Sequence, residues 1–79
     1  MITCIITSPA ETMVYENALS ISLPAFLGRM QALPGHAESF ISLKKGDIVI
    51  KRSNATESKI IQISGGECHI KDDRMAIIL

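Results

Sequence analysis

Several features are scarce or missing in this chain, and each scarcity removes a class of function. Aromatic side chains are few: Tyr15, Phe26 and Phe40, with no tryptophan. They are too few and too far apart to form a stacking platform for single-stranded bases. An excess of charge of either sign is absent as well. Eight basic and eight acidic residues leave a formal net charge of +0. No basic field is available to neutralise a phosphate backbone, so nucleic acid is not expected as a partner. Long apolar runs are also lacking. The longest is Met75–Leu79, against about 20 residues for a membrane-spanning helix. No charged segment followed by an apolar one opens the chain, so no export signal is expected.

Cysteine is sparse too. Cys4 and Cys68 fit no zinc or CxxC spacing. Each sits in an apolar strand pattern, where a small hydrophobe suffices. A disulfide between them is geometrically possible, but without an export signal a reducing, cytoplasmic setting is expected.

What remains is a chain of 79 residues that is 47% hydrophobic. That is enough for one domain with its own core, though a domain this small buries only about 60–65% of its unfolded surface. The apolar residues alternate. Ile2, Cys4 and Ile6 share one face of the first run, and Thr3, Ile5 and Thr7 the other. Leu19, Ile21 and Leu23 alternate with Ser20 and Ser22, and Ile48 and Ile50 with Val49 and Lys51. Cys68 and Ile70 alternate with Glu67, His69 and Lys71. Period-two patterning of this kind marks half-buried strands.

Turn signals separate the runs: Glu16-Asn17, Pro34-Gly35, Lys44–Asp47, Ser53–Thr56, Gly65-Gly66 and Asp72-Asp73. Gly46, Gly65 and Gly66 are read as turn glycines. Pro34-Gly35 suits a type II turn, since proline presets φ and glycine accepts φ > 0. Turns this frequent indicate an all-β sandwich or barrel. Ala25–Gln31 is the only helix-like window. Bounded by Pro24 and Pro34 and containing Gly28, it is expected to be loop with at most one helical turn. The surrounding Leu23–Glu38 carries Phe26, Leu27, Met30 and Leu33, which either fold back over the core or form a contact patch.

Candidate chemistry is thin. His36, Glu38 and Ser39 are close in sequence, but a nucleophilic serine needs an orienting third group and an oxyanion hole. Glu67, Cys68 and His69 are three ligand types in a row. Strand alternation sends Cys68 to the opposite face, so they cannot converge on one metal. Even with Asp72 or Asp73 nearby, no functional metal is expected. No phosphate-binding glycine loop is present, and no cofactor is expected. Lys44-Lys45 reads as a solvated turn. Met13, Met30 and Met75 read as filler.

Two motifs add to this. Leu33-Pro34-Gly35-His36-Ala37 lies mid-chain. Ile63-Ser64-Gly65-Gly66 follows about thirty residues later, before a polar-faced strand and Asp72–Leu79. With a first strand ending near Ser8-Pro9 and Leu23-Pro24 ahead of the loop, residues 1–79 resemble the N-terminal domain of the epsilon subunit of F-type ATP synthase, called delta in mitochondria.

The resemblance implies a flattened sandwich of two antiparallel sheets with about ten short strands. It also implies a non-catalytic rotor subunit, coupling rotation of the c ring to gamma and so to ATP synthesis in the catalytic head. The partners implied are gamma and the c-subunit ring, in a peripheral complex without direct membrane insertion. The place implied is the cytoplasmic face of a bacterial inner membrane, or the matrix face in a mitochondrion. By the same resemblance Arg29, Leu33, Pro34, Gly35, His36 and Ala37 contact partners.

Some positions depart from the family pattern. Ala25 and Gln31 replace glycines, Glu38 replaces a proline, and Arg29 stands where a glutamate is usual. A basic c-ring loop would then face like charge unless it carries a compensating acid. The family's C-terminal helical hairpin has no counterpart after Leu79, so neither its nucleotide site nor its inhibition is expected. The other reading of the same residues is a free-standing, non-catalytic β-sandwich adaptor.

Overall fold

The alternation of β-branched residues is realised as six strands in a computed structural model that describes residues 1–79. They are β1 (Ile2–Thr7), β2 (Thr12–Ala25), β3 (Gly28–Ala32), β4 (Ser39–Arg52), β5 (Lys59–Lys71) and β6 (Arg74–Ile78). The chain is all-β, as the pattern predicts. Its architecture differs from two separate sheets of about ten short strands. The six strands form one sheet in the order β1-β6-β5-β4-β2-β3, and β1 also pairs with β2. Five strands therefore close into a barrel, and β3 is an extra strand beside β2. β1 runs parallel to β6, and every other pairing is antiparallel.

The physical reason for the lower strand count lies at three expected turns that are not turns. Glu16-Asn17 sits inside β2, Lys44–Asp47 inside β4, and Gly65-Gly66 inside β5. At each point the inward-facing parity switches. Leu43 is buried on one side of the β4 switch, Ile48 and Ile50 on the other; in β5 the buried set passes from Ile63 to Cys68 and Ile70. A strand that changes parity mid-way can fill the interior from both walls of a flattened barrel. The molecule measures 28 × 27 × 19 Å. In one wall β2 begins, β1, β6 and the end of β5 follow, and β4 begins. The second halves of β2 and β4, the start of β5, and β3 form the other.

The switches need unusual backbone. Asn17 has φ 59, in the region asparagine tolerates best among non-glycine residues. Gly66 has φ 155, and a Cβ there would stand 2.6 Å from the Ile78 carbonyl oxygen. Gly46, which is likewise a strand residue and not a turn, leaves room for Pro24; a Cβ would lie 2.7 Å from the proline Cβ. Pro24 sits where the β2–β4 register shifts, between Ser22 and Ala25. Lacking an N–H, proline is tolerated at such an irregularity and not in a regular central ladder.

Ala25–Gln31 departs from the expected loop. Phe26 and Leu27 form a two-residue turn between Ala25 and Gly28, and β3 pairs back along β2 as far as Ile21↔Ala32. The core is a cluster of aliphatic side chains with Cys4, Cys68 and Met75 among them. Ile2, Cys4 and Ile6 all point inward, as do Ile21, Leu23, Ile48, Ile50 and Ile70. Met13 and Met30 pack on its margin.

Candidate partner-docking surface

At one end of the barrel, the Leu33–Glu38 loop meets the β5–β6 hairpin. Gly35 has φ 85, and the His36 N–H donates to the Leu33 carbonyl at 3.2 Å. This is the expected turn at Pro34-Gly35. The hairpin opposite turns through Asp72 and Asp73, with φ 51 and 58, the left-handed pair that a two-residue hairpin requires. Asp73 then reaches across: its Oδ1 accepts the Gly35 N–H at 2.7 Å. A carboxylate thus fixes the loop's apex to a turn 38 residues away in sequence.

Within the loop, His36 Nδ1 lies 2.7 Å from the Ala37 carbonyl oxygen, so that nitrogen carries the hydrogen and donates. Ser39 Oγ donates to the same carbonyl at 3.1 Å. Both groups are occupied by Ala37, and no serine–histidine relay is assembled. Glu38 is engaged elsewhere: its Oε2 lies 2.9 Å from Nε2 of His69. The His69 ring in turn stacks on Phe40, with centroids 4.3 Å apart and planes 4° from parallel. Glu67 accepts a hydrogen bond from Ser42 Oγ at 3.0 Å. Glu67 and His69 therefore have separate partners on β4 and its preceding loop, and no cluster of three or more His, Cys, Asp or Glu side chains gathers.

Sequence reasoning missed the Glu38–His69–Phe40 unit because only the β4–β5 register, Phe40↔His69, brings it together. It also left open the fate of the apolar loop residues. Leu33 is half exposed, Phe26 and Phe40 are mostly exposed, and Leu27 at the β2–β3 tip is fully so. Met30 alone folds back on the core. A cleft of about 510 Å³ separates the tip from the start of β4, lined by Phe26, Leu27, Met30, Phe40 and Ile41 among others.

Arg29 has a structural occupation. Its Nε donates to Ser22 Oγ at 2.9 Å, and its terminal nitrogen donates to the Asp47 carbonyl. The side chain thus crosses β2 where the β2–β4 register shifts. It satisfies a carbonyl on the far strand.

The two cysteines are inert. Burial pushes both thiols up to about 12, and for Cys4 the neighbouring Cys68 adds to the rise. Thiols held protonated are poor nucleophiles and poor metal ligands. They flank β6, with Cys4 opposite Met75 and Cys68 opposite Ile77. Two strand spacings amount to about 9.5 Å. A disulfide needs Cα atoms within about 7 Å, so the bridge left open by the sequence does not form in this fold.

The model of the family "ATP synthase, Delta/Epsilon chain, beta-sandwich domain" matches residues 1–79, the whole chain. The chain belongs to this family. Among its relatives is the ATP synthase epsilon chain of Anoxybacillus flavithermus, 35% identical over 66 residues that make up 82% of this chain and 48% of the relative. That of Wolbachia pipientis is 31% identical over 71 residues, 90% of this chain and 61% of the relative. The chain thus spans about half to three-fifths of the curated relatives it matches. The fold recurs in a chain of the Euglena gracilis mitochondrial ATP synthase, with a TM-score of 0.87 at 23% identity over 98% of this chain and 49% of that one. In the central stalk/c-ring assembly of Tetrahymena thermophila the TM-score is 0.79 at 13% identity, over 98% and 61%. The delta/epsilon β-sandwich of this chain is accordingly a flattened barrel. Its long strands bend from one wall to the other.

Proposed function

We propose that this chain is the docking domain of a central-stalk subunit of an F-type ATP synthase, joining gamma to the c ring. The observation that carries this reading is the match of the delta/epsilon family over residues 1–79. Its role is mechanical. It contributes no catalytic group, and the synthesis of ATP belongs to other subunits. Torque between ring and stalk calls for a body that does not shear, and a barrel closed by the β1–β2 pairing is stiff in that sense. It also calls for contact groups presented on a fixed frame.

Leu33, Pro34, Gly35, His36 and Ala37 serve as the contact loop. Its apex is held by Asp73, and its far end by the Glu38–His69 pair. Phe26 and Leu27 extend the contact with apolar surface. Arg29 takes part through its exposed stem while its guanidinium stays on Ser22 and Asp47, which lessens the like-charge conflict with a basic ring loop. The complex is peripheral to the membrane, on the cytoplasmic face in a bacterium.

The test is co-purification of the tagged chain with gamma and the c ring at physiological salt, for wild type and Gly35→Val. Wild type is expected to recover gamma and ring. Gly35→Val, which strains a residue at φ 85 with open space around it, is expected to lose ring more than it loses melting temperature. Recovery of neither partner by the wild type refutes the reading and leaves a free-standing adaptor. Undiminished recovery by Gly35→Val removes the loop from the contact.

A further inference from the structure

The contact loop Leu33–Glu38 has little structure of its own. Its one backbone–backbone hydrogen bond runs from the His36 N–H to the Leu33 carbonyl. Pro34 has no N–H to donate, and the space around Gly35 is open. Ser39 bonds Ala37 where the loop enters β4. Beyond that, two side-chain contacts join the loop to the barrel: Glu38 with His69 at its end, and Asp73 with the Gly35 N–H at its apex. The place of Gly35 and His36 therefore depends on Asp73.

Asp73 is itself firmly held. Its carbonyl accepts the Thr3 N–H of β1 at 3.0 Å, so its carboxylate rides on the strand whose pairing with β2 closes the barrel. Its backbone is strained. A φ of 58 is a left-handed value that glycine adopts freely and aspartate less so. Asp72 beside it, at φ 51, carries the same kind of strain, but of the two only Asp73 bonds the loop. Lys71, Glu38 and Asp72 border the same cleft, and none pairs with the Asp73 carboxylate, since the one ion pair of the fold is His69–Glu38. The contact is a hydrogen bond from a neutral amide, which a carboxamide oxygen can also accept.

We infer that Asp73 is the positioning residue of the contact loop, holding Gly35 and His36 in docking geometry through one hydrogen bond from a backbone position that glycine would fill with less strain. The inference rests on the proposed docking function. A loop already ordered in the free chain loses less freedom on binding, so removing the bond weakens docking without altering a contact residue. Strain kept for a binding loop and not for the fold has a separable signature. Glycine at position 73 frees the loop and leaves the barrel as stable as before.

The test compares the 79-residue chain with Asp73→Asn, Asp73→Gly and Asp72→Gly. The first keeps the acceptor, the second removes it and relieves the strain, and the third relieves strain with the bond intact. Amide order parameters at Gly35 and His36, from NMR relaxation, are expected at about 0.85 in wild type, Asp73→Asn and Asp72→Gly, and below about 0.6 in Asp73→Gly. Recovery of the c ring by Asp73→Gly should fall about tenfold, the equivalent of one net hydrogen bond. Its melting temperature should stay within about 6 °C of that of Asp72→Gly. Each of four results overturns the inference: an ordered loop in Asp73→Gly; equal loosening in Asp72→Gly or Asp73→Asn; a melting temperature below that range, which makes Asp73 a residue of the fold; or full ring recovery by Asp73→Gly despite a loosened loop. A wild type that recovers no ring refutes the docking function and the docking half of the inference, whereas the relaxation data still decide whether Asp73 orders the loop.

Discussion

The parity switch in β5 can be tested by substituting two glycines that differ in what an added Cβ would meet. Gly28 and Gly66 both have positive φ, 128 and 155. A Cβ at Gly28 meets nothing within 4 Å, whereas at Gly66 it stands 2.6 Å from the Ile78 carbonyl oxygen and 3.1 Å from Leu79 Cδ2. Gly28→Ala therefore carries backbone strain alone, about 1–2 kcal/mol. Gly66→Ala carries the same strain and must also displace the end of β6. That backbone cannot retreat freely, because the Leu79 N–H donates to the Thr7 carbonyl at 2.9 Å. Overpacking against a held backbone adds about 1–3 kcal/mol, for a total of about 2–5 kcal/mol. A chain of 79 residues has a total stability of about 4–12 kcal/mol, so Gly66→Ala consumes a large part of it. Urea denaturation followed by far-UV circular dichroism measures both variants. Melting temperature provides a second reading, at about 4–8 °C per kcal/mol. If Gly66→Ala costs no more than Gly28→Ala, the close approach of β5 to the end of β6 is not the reason for glycine there.

Three further outcomes are expected. Ile50→Ala should cost about 2–4 kcal/mol, because its side chain is fully buried; the neighbouring, half-buried Val49→Ala should cost under about 1 kcal/mol, and equal costs would show the strand parity to be wrong. The thiols should react with an aromatic disulfide reagent only through unfolding. Stability should also fall from the ordinary thiol value of 9.0 toward 12, since there the unfolded chain releases protons that the folded one retains. The slope should be up to about 1.4 kcal/mol per pH unit per thiol, and urea midpoints identical at pH 8 and above pH 10 would contradict it. Arg29→Met keeps the stem and removes two hydrogen bonds, so it should cost only about 0.5–1.5 kcal/mol. Amide exchange should quicken in β3 more than in the barrel, and unaltered β3 exchange would deny Arg29 its bracing role.

How much of this was legible beforehand follows from the range over which each feature is determined. Alternation is local, so the inward sets Ile2-Cys4-Ile6 and Ile48-Ile50 could be read directly, as could the turns at Pro34-Gly35 and Asp72-Asp73, where proline, glycine and aspartate set φ. The Leu33–Ala37 and Ser64–Gly66 motifs pointed to the delta/epsilon family that the whole chain matches. Gly65-Gly66 and Lys44–Asp47 were misread for a reason intrinsic to sequence. A change of hydrophobic parity looks the same whether the chain turns back or continues and bends. Only pairing partners separate the two, and the continuous β4–β5 ladder supplies them.

The same distinction holds for the surfaces. Composition alone leaves few groups capable of chemistry, and the loop residues available for contact were visible as apolar and polar letters out of pattern. Register decided the rest. It set His69 against Glu38 and not beside Glu67 on a metal. It placed Arg29 over Ser22 and Asp47, and it brought Asp73 onto Gly35. Each of these joins residues far apart along the chain. The local pattern sets which way a side chain faces on its own strand; which neighbour it meets depends on how the strands are paired when the barrel closes.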